Sequence, residues 1–436
     1  MPLKGNLWPK NLGEVSRLGF SLDLASHGSL GEVQPFSRGS EFRWLTAAVL
    51  LTAAMLLGRF GMGTYSPAAL VLVALAVCAC LWALSVPVAG AAAPPVAAGR
   101  GMQLVLALLL LLHAALGLAT LRSTPPERVD VYLFQRDAAA ALLQGTDPYS
   151  ITHQNLYGSA ASFFYGPGVV RDGRVDFGFQ YPPLSLLAIL PGYLLGDLRY
   201  TYIVTLLLSA ATLARIRLNK MTLVAVALLL LSPVTFYVLS RGWTEPLVLL
   251  ALCGTCLAAA RRSRWLPVAL GFFFASKQYS VVAVPLMALL LSPFTWRAYL
   301  RLLAVALLIA VAVTAPFALW NIHSFWQGVI KWQLVQPFRP DALSFSVLTA
   351  RLGLPRISQV LVIVAAAAAT VWTLVKAPRR PNGFAGCFAL VMLVFFCLNK
   401  QAFVNYYFLV ISAMLLAAVI QGVPASLAPD KAKPDE

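Results

Sequence analysis

The sequence predicts an all-α fold, a polytopic transmembrane helical bundle of about 11–13 spans with one long polar loop near its start. Three observations lead there. The 436-residue chain is 60% hydrophobic and only 11% charged, whereas a soluble domain carries about 25% charged residues. Its apolar residues run in blocks approaching the roughly 20 residues that a helix needs to cross a bilayer. Its Lys and Arg residues gather in short linkers between those blocks.

The candidate spans are 44–58, 66–88, 102–121, 199–214, 221–239, 246–260, 265–276, 279–293, 299–319, 357–375, 384–398 and 404–421. They make one membrane domain, 43–421. Residues 1–42 are polar and rich in Gly and Ser, and read as a loosely attached cytoplasmic tail without a cleavable signal peptide. Residues 422–436 form a second polar tail, and the Ala/Pro/Gly-rich stretch 89–101 reads as a linker. Residues 122–181 form the long polar loop. Within it, 128–144 has the apolar period of an amphipathic helix lying at the membrane surface, closed by Gly145. The apolar piece 183–195, broken by Pro191-Gly192, reads as a short or re-entrant helix that does not span.

The formal net charge is +17. A nucleic-acid partner would require the cations to collect on one soluble face, and they do not. Arg215, Arg217 and Lys220; Arg261, Arg262 and Arg264; Arg297 and Arg301; and Lys376, Arg379 and Arg380 occupy alternate linkers, which the positive-inside rule assigns to the cytoplasm beside anionic lipid. The loops between them then face outward: 122–181, 241–245, 277–279, 321–345 and 399–407. All the aromatic-rich, mixed-charge loops fall on that one side.

The residues able to carry chemistry lie in these outer loops. Asp130 and Asp137 share a helical face two turns apart. A carboxylate there can serve as a general base or be a solvated helix face. Gly145-Thr146-Asp147-Pro148-Tyr149 follows, with turn chemistry of its own. Tyr181-Pro182-Pro183 opens the short helix. Glu245, after Arg241-Gly242-Trp243-Thr244, suits a helix N-terminus. Lys277, followed by Gln278, is flanked by apolar runs, so it either snorkels to the interface or meets a counter-charge such as a lipid phosphate. Lys331 and Arg339 lie among Trp and Phe residues suited to sugar stacking or to interfacial anchoring. Lys400 and Asn405 add further donors. The six cysteines sit in apolar segments and read as packing residues. His113 has no convergent partner, and His153 is an isolated loop histidine. No His-rich metal site, Walker loop or dinucleotide fingerprint is present, so no cofactor is expected; the outer-loop carboxylates leave a divalent ion open without indicating one.

Taken in order, an early loop aspartate (Asp130 with Val131-Tyr132), Gly-x-Asp-Pro-Tyr at 145–149, Tyr-Pro-Pro-Leu at 181–184 and a later helix lysine, Lys277, resemble the GT-C superfamily over about residues 125–415. The nearest resemblance is to the polyprenyl-phosphomannose-dependent mannosyltransferases of glycosyltransferase family 87. The chain departs from that pattern in two places. Two apolar spans precede the helix leading into the loop where one is expected, and Arg241-Gly242-Trp243-Thr244-Glu245 replaces a Gly-Gln-type turn.

The resemblance implies a multi-pass enzyme of the bacterial cell membrane with its site facing outside. It would transfer a sugar, commonly mannose, from a polyprenyl-phosphate carrier to a lipid or glycan acceptor by inverting displacement. Asp130 would be the base. Lys277, Arg241 and Lys400 would stabilise the phosphate. Asp137, Tyr149, Tyr181, Glu245, Gln278, Lys331, Arg339 and Asn405 would be the further substrate contacts. A transporter or flippase of lipid-linked sugars, or a non-catalytic subunit of polysaccharide assembly, would share the same composition.

Overall fold

The computed structural model describes residues 38–58, 66–85, 99–125 and 129–421. The expected tails up to residue 37 and from residue 422, and most of the 89–101 linker, lie outside the described residues. α1 (Arg38–Leu57), α2 (Pro67–Ser85) and α3 (Arg100–Ser123) lead into the loop, so the first helix starts within the stretch expected to be tail. The loop contains α4 (Asp130–Leu143) and α5 (Ala161–Tyr165). It also has a three-stranded antiparallel sheet of β1 (His153–Gln154), β2 (Val170–Arg171) and β3 (Arg174–Val175), in the order β1-β3-β2. Among the described residues this small sheet is the one departure from an all-helical chain.

α6 (Pro183–Leu194), α7 (Tyr200–Ile216), α8 (Lys220–Leu231), α9 (Pro233–Arg241), α10 (Glu245–Ala260) and α11 (Leu266–Ser276) follow. Next comes α12 (Ala283–Leu286), set between 3-10 turns at Gln278–Val282 and Met287–Leu290. α13 (Trp296–Trp320) is the longest helix described. Residues 321–345, expected as an outer loop, are partly helical: α14 (Ile322–Trp326), a π-helical turn at Gln327–Lys331, and α15 (Trp332–Val335). Asn321 starts this run by accepting from the Ser324 N–H at 3.1 Å. α16 (Phe345–Arg351), α17 (Gln359–Lys376), α18 (Pro381–Leu398) and α19 (Val404–Ile420) complete the chain.

Five helices are individually long and apolar enough to cross a membrane: α2, α3, α13, α17 and α18. α8 and α9 make a sixth if counted as one span bent by 45°. α6, α7, α10, α11, α19 and the 278–290 segment are shorter apolar helices of 10–17 residues. The chain is therefore a multi-pass helical membrane protein. α6, with 12 residues, is about 18 Å long, well short of a hydrocarbon core of about 30 Å.

Burial separates the centre from the lipid-facing shell. The most apolar 18-residue window of α18 is 78% buried inside the protein, against 17% for α3 and α13 and 11% for α17. α18 and α19 are apolar on every face and pair at the centre, as helices of that pattern must. The bend between α8 and α9 is set by Ser232-Pro233. Pro233 has no N–H to donate, and the Ser232 hydroxyl caps α9 by accepting from the Val234 N–H at 3.3 Å. The carbonyls freed at the bend find other donors. The Thr235 hydroxyl donates to Leu229 O at 2.5 Å, and His113 Nδ1 on α3 lies 2.7 Å from Leu230 O. His113 thus does have a partner, and it is a backbone carbonyl.

The two sets of linkers sit at opposite ends of the bundle. At one end Arg261 Nη2 donates to the Arg215 carbonyl at 2.7 Å, and Arg217 reaches Glu41 at 3.3 Å and the Gln421 carbonyl at 3.0 Å. The loops that sequence reading grouped on the other side meet at the other end, around a single cavity.

Candidate active site

The wall of that cavity is the extended stretch 178–181, tied down from both sides. Phe179 N donates to Pro148 O at 3.0 Å. The Tyr149 hydroxyl donates to Tyr181 O at 2.9 Å. Gln278 Nε2 donates both to Gln180 O at 2.7 Å and to Val329 O at 3.1 Å, and Trp332 Nε1 donates to Gln180 Oε1 at 2.9 Å. Such close approach needs glycine on both flanks. A Cβ on Gly178 would stand 2.2 Å from Tyr149 O, and one on Gly328 would stand 2.4 Å from Phe179 O. The Gly-x-Asp-Pro-Tyr motif is the underside of this wall. Gly145 takes a φ of 72° to close α4, and Asp147 Oδ1 accepts from Tyr149 N at 2.9 Å.

The cavity has a volume of about 540 Å³, within the range of small-molecule sites. Asp130, Tyr157, Phe164 and Tyr165 from the loop line one part of it. Tyr181, Lys277, Gln278, Tyr279, Asn405 and Tyr406 line another, and Arg241, Arg339 and Lys400 stand around it. It reaches Leu334 and, on the lipid-facing α17, Gln359 and Ile363. Leu334 is 71% exposed and Ile363 62% exposed, so the chamber opens beside an apolar surface.

Lys277 does not snorkel. It is 5% exposed, and its Nζ donates to Glu245 Oε1 at 2.5 Å and to Thr244 Oγ1 at 2.9 Å. The rings of Tyr181, Tyr279 and Tyr406 surround it with centroids 4.8, 5.5 and 5.9 Å away, so cation–π attraction adds to the ion pair. Glu245, fully buried, stands behind Lys277 rather than on the cavity wall. Its Oε1 also accepts from Asn405 Nδ2 at 2.9 Å and the Tyr279 hydroxyl at 3.3 Å, while Oε2 is buried without a partner among the described residues. Removing either charge of such a pair strands the other, at a cost of about 3–5 kcal/mol.

Arg339 is held by Asp341 through two bonds of 2.8 and 2.7 Å, against the rings of Phe163, Phe164 and Phe403. Lys400 Nζ donates to the carbonyls of Gln336 at 2.5 Å and Leu334 at 3.2 Å. Partial burial lowers its ammonium pKa. Arg241 lies over the Tyr237 ring at 5.0 Å. Neither Arg241 nor Lys400 has a carboxylate partner among the described residues.

Asp130 is the first residue of α4, and its Oδ1 accepts from Val131 N at 2.8 Å. Burial raises its carboxyl pKa above the ordinary carboxylate range. The Val131 N–H, the Tyr157 hydroxyl and the Arg339 charge oppose that rise without cancelling it. A carboxylate of raised basicity on the wall of a cavity is suited to take a proton.

Besides Glu245, three further residues expected as substrate contacts do not reach the cavity. Asp137 lies on the same helical face as Asp130, but two turns carry it about 10 Å along the axis. There it pairs with Arg136 at 2.9 Å and with the buried His153 at 3.2 Å, so His153 is not isolated either. Burial alone would raise the Asp137 carboxyl, and the bonds from His153 and Arg136 bring it below its ordinary value. Tyr149 is buried beneath Tyr181 as a structural strut. Lys331 is exposed at the end of the π-helical turn. Conversely, Tyr157, Phe164, Tyr165 and Gln180 line the cavity and were not anticipated. The run Ser162-Phe163-Phe164-Tyr165, aromatic inside a polar loop, is the signal that could have found two of the loop's contacts, Phe164 and Tyr165. Among the described residues no group of three His, Cys, Asp or Glu side chains is arranged to hold a metal ion.

No family model matches the chain, and no curated protein does. Among solved structures it is similar to ArnT from Cupriavidus metallidurans bound to undecaprenyl phosphate, at 18% identity and a TM-score of 0.47. It is also similar to the apo state of the same protein, at 16% identity and a TM-score of 0.45. Each match covers 72% of this chain and 59% of that one, so the chain spans about three fifths of the length of those structures.

Proposed function

We propose that this protein is a membrane glycosyltransferase of GT-C type. It takes a sugar from a polyprenyl-phosphate carrier and passes it to a lipid or glycan acceptor at the outer face of the cell membrane. The observation that carries this reading is the juxtaposition of Asp130 with Arg241, Lys277, Arg339 and Lys400 in one cavity that opens beside apolar surface. A base, a set of cations and a path for a hydrocarbon chain are the three things that transfer from a lipid phosphate requires.

In the proposed step Asp130 accepts the proton of the acceptor hydroxyl as its oxygen attacks C1 of the sugar. The C1–O bond to phosphate breaks, and its electron pair stays on the phosphate oxygen. That oxygen needs no proton donor, because cations stabilise its developing charge. Lys277, Arg241 and Lys400 take this role. Tyr157, Phe164 and Tyr165 offer aromatic faces and hydroxyls to sugar rings. Attack opposite the leaving group inverts C1. The family resemblance selects mannose as the sugar. A transporter would instead require a polar path through the membrane midplane, whereas the polar side chains named here gather at one end of the bundle.

The test uses the purified full chain with a synthetic polyprenyl-phosphomannose of known anomeric configuration. Transfer with inversion at C1, read by NMR of the product, is expected. Retention of configuration, or no transfer from any polyprenyl-phosphosugar to either acceptor class, would overturn the reading.

A further inference from the structure

We propose that Glu245 is a counter-charge that limits how tightly the cavity holds an anionic phosphate. This rests on the reading that Lys277 meets the phosphate of a lipid carrier. Two of the four cavity cations are already neutralised, in different ways. Arg339 Nε and Nη2 donate to the two oxygens of Asp341 in a closed two-bond pair. Glu245 instead gathers Lys277, Asn405 and Tyr279 on Oε1 alone and leaves Oε2 buried and unpartnered. A carboxylate kept only to fix Lys277 would be expected to satisfy both oxygens, since an orphaned buried acceptor costs free energy.

The one-sided arrangement makes Lys277 a shared cation. Its Nζ has three N–H groups, and two are directed at Glu245 and Thr244. The remaining donor, inside the cage of Tyr181, Tyr279 and Tyr406, is available to an anion on the cavity side. Glu245, bonded to the same ammonium from the other side, repels that anion. A phosphate monoester product carries more charge than the diester donor. Unopposed, Lys277 would hold the product more strongly than the donor and slow release.

The experiment measures binding of farnesyl phosphate, with farnesol as the uncharged control, to the purified full-length protein at fixed ionic strength. Glu245→Gln keeps the shape and removes the charge, so farnesyl phosphate should bind about tenfold more tightly, with farnesol unchanged. Lys277→Met should weaken binding by about tenfold or more, because Glu245 is then an unopposed anion. The double variant, neutral at both positions, should bind more tightly than Lys277→Met alone. This comparison holds even if Glu245→Gln by itself folds poorly. In turnover, Glu245→Gln should lower both kcat and KM, whereas a merely structural loss lowers kcat without lowering KM. Unchanged or weaker binding in Glu245→Gln, with Lys277→Met still impaired, would overturn the counter-charge and leave the transferase reading standing. Failure of the unaltered protein to bind farnesyl phosphate in preference to farnesol would overturn both.

Discussion

Asp130→Asn should separate catalysis from stability, with opposite signs for the two. Asn is nearly isosteric, and its amide oxygen can still accept from the Val131 N–H that Asp130 holds at 2.8 Å. What is lost is proton acceptance, which for a general base is worth about a hundredfold or more in rate. The stability sign follows from linkage. The folded carboxyl is raised above its ordinary range, chiefly by burial, so the native state binds more protons than the unfolded chain between the two pKa values. Stability is therefore highest at low pH and falls as pH rises through that window. The ionised group destabilises the fold at neutral pH, and the neutral amide should leave Tm equal or higher. Asp137 gives the reverse pattern. Its carboxyl is depressed by His153 and Arg136, so its contribution is present above the ordinary carboxylate pKa and is lost as pH falls through the folded value. Asp137→Asn should lower Tm by an amount corresponding to about 1 kcal/mol and change transfer little, since it stands outside the cavity. The assays are transfer from a synthetic polyprenyl-phosphosugar and thermal unfolding of the same purified samples. Full transfer in Asp130→Asn, or lost transfer accompanied by a fall in Tm, would refute the assignment of the base.

Three further outcomes are expected. The acid limb of the pH–rate profile should lie above the ordinary carboxylate range, because transfer stops when Asp130 is protonated. Arg339→Gln should move that limb to still higher pH by removing a charge that lowers the Asp130 pKa; an unmoved limb would detach Arg339 from the base. Gly328→Ala must push against Phe179 O, 2.4 Å from the new Cβ. It should destabilise the protein by about 1–3 kcal/mol and raise donor KM by displacing the 178–181 wall, and wild-type Tm and KM would show that the wall yields freely. Single cysteines at 172 and 341 in a Cys-depleted variant should react with an impermeant reagent in intact cells, while cysteines at 262 and 376 should not; reaction at 172 only after permeabilisation would turn the site to the other face.

The apolar helices were legible because length and apolar content are one-dimensional properties, although five or six rather than 11–13 of them are long enough to cross a membrane among the described residues. The expected segments 199–214, 246–260 and 384–398 correspond to helices Tyr200–Ile216, Glu245–Ala260 and Pro381–Leu398. Lys277 was legible as an ionisable residue between apolar runs, where burial makes an idle charge costly, and Asp130 as the early loop aspartate of the family resemblance. What covers each residue was not legible. Helical periodicity puts Asp130 and Asp137 on one face but does not say that His153 meets only the second. Nor does any spacing rule connect Lys277 to Glu245 and Asn405, which are 32 residues before it and 128 after it. The helical turns inside the 321–345 loop were not foreseen, nor was the tertiary contact there, in which Gly328 packs against the Phe179 carbonyl.

The charges at the cavity fit the proposed chemistry better together than singly. Arg241, Lys277, Arg339 and Lys400 face Asp130, with Glu245 and Asp341 behind two of the cations. With Asp130 ionised, this leaves a small positive excess, suited to the single negative charge of a sugar phosphodiester. As C1 transfers, the phosphate gains charge and Asp130 loses its own by taking a proton. The excess positive potential thus grows as the leaving group needs it. Stabilisation that increases along the reaction is what accelerates a step, whereas equal stabilisation of donor and transition state would only tighten binding. Arg241 and Lys400, the two cavity cations without carboxylate partners among the described residues, are the residues through which that change can act with least opposition.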